Sequence, residues 1–167
     1  HALPGLVVPG TALQLAVAMA GATLRIEVFA FSTGLQRVTD DVRRAAAGER
    51  RRLDLDRRHH AWAGGTSIGA CLRDFLRRFG ERMVGRNTVV IIVSDGLDRG
   101  DPAPLAGAMR AIHSRARKVV WLNPLLGDPR YEPTARGMAA ALPYVDVFAP
   151  AHNLESLEKL VPRLSAA

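Results

Sequence analysis

The chain has 167 residues, about the length of one domain. Hydrophobic residues make up 48% of it, which supports a packed core and excludes a disordered chain. Its net charge of +7 comes from 21 arginines and only two lysines. The single cysteine excludes an internal disulfide and a cysteine-rich zinc site. No apolar run reaches the roughly 20 residues that span a bilayer, so we expect no transmembrane helix. The single cysteine fits a reducing compartment, and we expect a cytoplasmic protein.

The first half of the chain begins with helical and strand patterns and then becomes rich in arginine. A helix is predicted at residues 12–20, a strand at 24–32, and a turn or short strand near 35–39. A polar helix or loop follows through the arginine-rich region. That region could dock an acidic partner, and the candidate docking residues are Arg50, Arg51, Arg52, Arg57 and Arg58.

The second half alternates regularly between helices and strands. Helices are predicted at residues 67–82, 102–117, 134–142 and 153–160, and strands at 88–94, 118–122 and 144–148. The strand at 88–94 is continuously apolar, as is typical of a strand buried on both faces of a parallel sheet. The alternation predicts an α/β fold with a mostly parallel sheet flanked by helices, forming one domain over residues 1–167.

Two loops carry the residues that could hold a ligand. In an open parallel sheet, ligands bind at the carboxyl ends of the strands. Asp95 follows the most apolar strand, and Thr66 stands at the start of the helix predicted at 67–82. Oxygen ligands of this kind suit Mg²⁺. Residue types alone leave two ordinary roles open, because threonine commonly caps a helix and aspartate commonly fixes a turn.

Several motifs, in their order along the chain, resemble the CoxE-like von Willebrand factor A (VWA) family. They are residues 28–39 (VFAFSTGLQRVT), 62–69 (WAGGTSIG), 93–102 (VSDGLDRGDP) and 120–124 (VWLNP), and the resemblance extends over residues 13–160. It implies a doubly wound, Rossmann-like α/β fold with a metal-ion-dependent adhesion site. Thr66 and Asp95 would be two parts of that site.

The third part of the site cannot be recognised in the sequence. The family resemblance implies an Asp-x-Ser-x-Ser loop before the first helix, but residues 5–12 contain no carboxylate and a single hydroxyl, on Thr11. We therefore expect a domain that is truncated at its N-terminus and lacks its first central strand; degeneration of the loop is the alternative. Binding of Mg²⁺ or Mn²⁺ is expected to be weak or absent.

The resemblance also implies a role. Similar proteins are interaction modules rather than enzymes, acting beside MoxR-type AAA+ ATPases in the maturation of molybdenum hydroxylases such as carbon monoxide dehydrogenase. Two other hypotheses stay open. One is a metal-dependent hydrolase that uses Asp95, Asp98 and Asp101, and the other is a nucleic-acid-binding domain that uses the arginines.

Three further residues have ordinary structural interpretations. Cys71 lies on the apolar face of its helix and is expected to be a small buried thiol. Asn123 ends a strand, where asparagine usually fixes a turn. His113 is expected at the surface. None of the three is a candidate for catalysis.

Overall fold

The strands that the structure describes form a parallel sheet and a separate hairpin. The structure, a computed structural model, describes residues 16–21, 25–31, 34–48, 67–98, 100–123, 125–126, 128–130 and 136–150. The strands are β1 (Phe29–Phe31), β2 (Leu35–Arg37), β3 (Val89–Val93), β4 (Lys118–Asn123) and β5 (Val147–Pro150). The helices are α1 (Thr39–Ala46), α2 (Ile68–Phe75), α3 (Ala103–Arg115) and α4 (Arg136–Ala141), and residues 16–21 are also helical.

The parallel sheet has the strand order β3-β4-β5. Ile91 pairs with Val120 across the first ladder, and Trp121 pairs with Phe148 across the second. Helices α3 and α4 connect successive strands of the sheet, which is the βαβ arrangement that the alternating pattern predicts. The prediction of an α/β fold with a mostly parallel sheet flanked by helices is confirmed.

Each face of the parallel sheet is apolar. On one face, Ile92 and Trp121 pack in a core with side chains of the helices, namely Ile68 and Leu72 of α2, Leu105, Met109 and Ile112 of α3, and Met138 of α4. On the opposite face, the fully buried Val120 and Leu122 pack with Met19 of the first helical segment. Burial on both faces explains why β4 is almost wholly apolar. In β3, which is also apolar, Ile92 is buried and the other residues are half-buried.

The hairpin is an antiparallel pair in which Ala30 lies opposite Gln36. Its strand β1 covers only three residues of the predicted strand 24–32. Ala30 packs with Val38 and Val42 in a small core that is separate from the core of the parallel sheet. Ala16 of the first helical segment also contributes to it. Within the described part of the chain, the hairpin is not hydrogen-bonded to the parallel sheet.

Helix α2 joins the hairpin to the rest of the fold. The ring of Phe29 in β1 lies 5.0 Å from the ring of Phe75 and 4.9 Å from that of Phe79, centroid to centroid. Phe79 belongs to a π-helical turn (Leu76–Gly80) that continues α2, and Glu81–Met83 completes the helix. The helix predicted at 67–82 is therefore confirmed, with a π-helical turn that apolar periodicity does not predict.

The last strand was predicted too early in the chain. A 3-10 helix (Leu142–Tyr144) occupies the beginning of the predicted strand 144–148, and β5 starts at Val147. The backbone N–H of Val145 donates to the carbonyl of Leu142 at 3.1 Å and closes that turn. Asp146 then aligns the chain with β4, donating its backbone N–H to Val119 O at 2.8 Å and accepting from Val119 N through Oδ2 at 2.7 Å.

The smaller predictions have mixed outcomes. Cys71 is buried, and the side chain of His113 is exposed, both as predicted. In the described ranges, no helix has the length and apolar character needed to cross a membrane. The predicted helix 153–160 and the beginning of the helix at 12–20 lie outside the described residues. So does the N-terminal region from which we expected the first central strand to be absent.

Candidate functional site

The loop after β3 leaves the carboxyl edge of the parallel sheet through two consecutive tight turns. Ser94 is buried, and its backbone N–H donates to Leu122 O at 3.0 Å, extending the ladder by one residue. Its Oγ accepts from the backbone N–H of Gly96 at 3.1 Å. Asp95 then accepts from Leu97 N through Oδ1 at 2.9 Å. Side-chain oxygens bonded two residues ahead are the usual means by which serine and aspartate fix turns.

Two buried side chains of β4 are hydrogen-bonded to the backbone of this loop. Trp121 donates its indole Nε1–H to Ser94 O at 2.8 Å. Asn123 directs its Nδ2 toward Asp95 O at 3.5 Å and accepts from Leu125 N through Oδ1 at 2.9 Å. Both side chains are fully buried, so their polar groups need partners inside the protein, and the loop backbone supplies them. The prediction that Asn123 fixes a turn is confirmed.

Helix α4 packs closely against the same loop, and two glycines make that close contact possible. Gly96 has a φ of +78°, and a Cβ on it would lie 2.6 Å from the sulfur of Met138. A Cβ on Gly137 would lie 2.2 Å from Gly96 O. Because any side chain at these positions would collide with its neighbour, the approach of α4 to the loop requires glycine. The Ser94–Gly96 turn is thus fixed by β4 on one side and by α4 on another.

Asp98 connects the loop to the beginning of α2. Its Oδ1 accepts from Ile68 N at 2.8 Å, and its Oδ2 lies 3.4 Å from Gly69 N. These are amides of the first helical turn, which have no partner inside the helix. The negative charge is also favourable there because it lies next to the positive end of the helix dipole. Ser67, the residue before α2, makes no side-chain capping bond.

Asp101 stabilises the start of the helix that follows it. It is exposed, and its Oδ1 accepts from Ala103 N at 2.9 Å at the start of α3. Asp98 and Asp101 therefore both bind backbone amides. Within the described ranges, no three His, Cys, Asp or Glu side chains are grouped so that they could hold a metal ion. The geometry offers nothing specific in favour of the hydrolase hypothesis.

Asp95 is the carboxylate of this edge whose surroundings suit a cation. It is half-buried, and burial raises the pKa of its carboxyl above the ordinary value, although the hydrogen bond from Leu97 N acts in the opposite direction. A desolvated carboxylate of this kind gains stability in its charged form from a nearby cation. It is also a hard oxygen donor, as Mg²⁺ prefers. Asp95 thus fits one position of a divalent-cation site.

The other predicted site residues lie outside the described part of the chain. They are Thr66 and the docking arginines Arg50, Arg51, Arg52, Arg57 and Arg58. Two arginines just before that region, Arg43 and Arg44, are exposed on α1. Arg43 donates to Ile26 O at 3.1 Å, and Arg44 pairs with Asp41 at 3.2 Å.

The sequence interpretation missed the residues that support the site. Asp98 was considered only as a possible metal or catalytic group, and Trp121 and Gly137 were not considered for the site at all. A usable signal was nevertheless present: an indole and an amide alternate at the end of an apolar strand, where each buried polar group needs a partner.

The comparisons with known proteins identify the family. No curated protein matches the chain. The family model described as "VWA domain containing CoxE-like protein" matches residues 11–157, which is most of the chain and includes β3, the Asp95 loop and α4. The chain therefore belongs to the family of VWA-domain-containing CoxE-like proteins.

Proposed function

We propose that this chain is a protein-interaction module of the VWA type that binds an acidic partner through a divalent cation at the carboxyl edge of its sheet. Thr66 and Asp95 would hold Mg²⁺ or Mn²⁺. When bound, the cation supplies an open coordination position for a carboxylate of the partner. The observation that carries the proposal is the half-buried Asp95 carboxylate on a loop fixed by β4 and α4.

The chain's own residues supply preorganisation. Trp121 and Asn123 fix the carbonyls of Ser94 and Asp95, so the loop need not be ordered when a ligand arrives. Ordering a loop costs affinity, and a rigid site avoids that cost. Affinity for the cation is nevertheless expected to be weak, because residues 5–12, where the family resemblance implies an Asp-x-Ser-x-Ser loop, contain no carboxylate.

The partner is proposed from the family. We propose that the module is a cytoplasmic accessory factor that acts with a MoxR-type AAA+ ATPase on a molybdenum hydroxylase such as carbon monoxide dehydrogenase. Membership of the CoxE-like family supports this assignment. The docking arginines Arg50, Arg51, Arg52, Arg57 and Arg58 would add long-range attraction to an acidic partner surface.

Calorimetric titration with Mn²⁺ tests the cation site. The variant Asp95→Asn removes the charge while its amide oxygen can still accept from Leu97 N, so we expect binding to be lost without loss of the fold. Asp128→Asn is the matched control, since Asp128 fixes an exposed turn by accepting from Arg130 N at 2.8 Å. Absence of Mn²⁺ binding to the unaltered chain at millimolar concentration would show that the cation site is wrong.

The partner assignment needs a separate experiment. The chain is immobilised and exposed to a MoxR-type ATPase from the same organism, with Mg²⁺ or with a chelator. We expect retention of the ATPase that depends on Mg²⁺ and is lost in Asp95→Asn. Equal retention under all conditions would show that the ATPase binds without using the cation site. No retention would contradict the proposal that a MoxR-type ATPase is the partner.

A further inference from the structure

Asp98 joins two segments that are far apart in sequence. Its carboxylate accepts from the backbone amides of Ile68 and Gly69, which precede it by 30 and 29 residues. The segment at one end of this contact is the loop that carries Asp95. The segment at the other end is the start of α2, and Thr66 precedes Ile68 by only two residues in the sequence. One half-buried side chain therefore fixes the start of α2 against the loop that carries Asp95.

We propose that Asp98 is a positioning residue for the cation site, holding the start of α2 in register with the Asp95 loop. This inference rests on the proposed function. Asp98 acts through the two segments that it joins, because its own oxygens accept from the backbone amides of α2.

The comparison with Asp101 separates this role from ordinary helix capping. Asp101 accepts from Ala103 N, only two residues ahead, and so stabilises the beginning of its own helix. Asp98 caps a helix that begins 30 residues earlier, so its contact closes a long loop. The same physical interaction thus has a local consequence at Asp101 and a long-range one at Asp98.

The packing around Asp98 limits its freedom to adjust. A Cβ on Gly137 would come within 3.1 Å of the Cβ of Asp98, which shows how closely the start of α4 approaches this side chain. On the far side, a Cβ on Gly69 would lie 2.6 Å from Leu105 N, so the beginning of α2 is pressed against α3. Asp98 therefore sits where three helices and the Asp95 loop converge.

The test compares Asp98→Ala with Asp101→Ala by Mn²⁺ titration of the full chain, below the melting temperature of each variant. Each substitution removes one capping carboxylate from the same loop. We expect at least tenfold weaker Mn²⁺ binding in Asp98→Ala and unchanged binding in Asp101→Ala. Asp98→Asn, which keeps one acceptor oxygen, should bind with intermediate affinity, and it carries the test if Asp98→Ala does not fold.

Amide hydrogen exchange supplies a readout that needs no metal. Exchange at Ile68 and Gly69 should accelerate in Asp98→Ala and stay unchanged in Asp101→Ala. Mn²⁺ binding by Asp98→Ala and Asp98→Asn as tight as in the unaltered chain, or equal weakening in Asp98→Ala and Asp101→Ala, would overturn the positioning role alone. Failure of the unaltered chain to bind Mn²⁺ would instead overturn the proposed function, and the positioning role with it.

Discussion

Gly137 lies at the start of α4, where the carbonyl oxygen of Gly96 comes directly against its backbone. A Cβ built on Gly137 would lie only 2.2 Å from that oxygen. The atom it meets belongs to the backbone, so no side-chain rotation can relieve the collision. The Asp95 loop and α4 would have to separate.

We predict that Gly137→Ala destabilises the protein by about 1–3 kcal/mol, the usual cost of overpacking a buried contact. Urea unfolding measures the change. Gly107→Ala is the control, because Gly107 lies inside α3 with nothing within 4 Å of the added Cβ. There the greater helix propensity of alanine should stabilise the protein by about 0.5–1 kcal/mol. Equal effects of the two substitutions would show that the close approach to Gly96 does not matter.

At the scale of single elements, a polar cluster joins the hairpin to α1. Thr39, the first residue of α1, accepts from Val28 N at 2.9 Å and donates to Glu27 at 3.1 Å. Arg37 of β2 also donates to Glu27, through Nη2 to Oε2 at 2.7 Å. Burial acts to raise the pKa of the Glu27 carboxyl, but the hydrogen bonds from Arg37 and Thr39 and the Arg37 charge outweigh it, so that pKa is lowered.

A pH dependence of stability follows from this cluster. Because the pKa of Glu27 is lower in the folded state, its contribution is complete above the unfolded pKa and is lost as the pH falls through the folded one. We predict that Glu27→Gln flattens the loss of stability from about pH 5 towards pH 3, by less than about 1 kcal/mol because the pair is partly exposed to solvent. Denaturant unfolding at several pH values measures the effect. Arg37→Gln should flatten the profile similarly, and independent effects in the double variant would contradict the pairing.

The same scale shows which elements the sequence could predict. The apolar run of β3 and the amphipathic α2 are recognisable because burial alone determines their patterns. Residues 144–148 (YVDVF) alternate like a strand, yet the 3-10 turn and the bonds of Asp146 to Val119 delay β5 until Val147. Those bonds join residues 27 apart, so a local pattern could not reveal them.

At the scale of the whole molecule, the same limit applies to the site: its local features could be predicted from the sequence, and its long-range contacts could not. Asp95 could be predicted because it ends a buried strand, and strand ends are where α/β proteins place ligands. The buried polar groups of Trp121 and Asn123 indicate that each needs a partner. They lie 27 and 28 residues from the carbonyls they bind, so the sequence could not identify those partners. The sequence thus indicated where a ligand could bind, while the tertiary fold determined how rigidly the binding loop is held.

In the part of the chain that the structure describes, the two sheets are joined by helices rather than by strand pairing. Helix α2 contacts β1, and the first helical segment contributes Ala16 to the hairpin core and Met19 to the core of the parallel sheet. Among the described residues, β1 pairs only with β2, and β3 pairs only with β4. The rings of Phe29, Phe75 and Phe79 form the aromatic contact between the hairpin and the helix. Arg78 and Arg82 extend this cluster, with guanidinium carbons 5.0 Å and 5.6 Å from the centre of the Phe79 ring.

Removing the Phe29 ring should therefore weaken the whole fold and loosen the hairpin first. We predict that Phe29→Ala costs about 2–3 kcal/mol in urea unfolding, less than for a fully buried phenylalanine because this ring is half-buried. In hydrogen exchange, protection in residues 28–38 should fall before protection in β4. Leu97→Ala is the control: Leu97 is 52% exposed, so its truncation should change stability by less than about 0.5 kcal/mol. Equal loss of protection in the hairpin and β4 would mean that the two sheets unfold as one unit regardless of this contact.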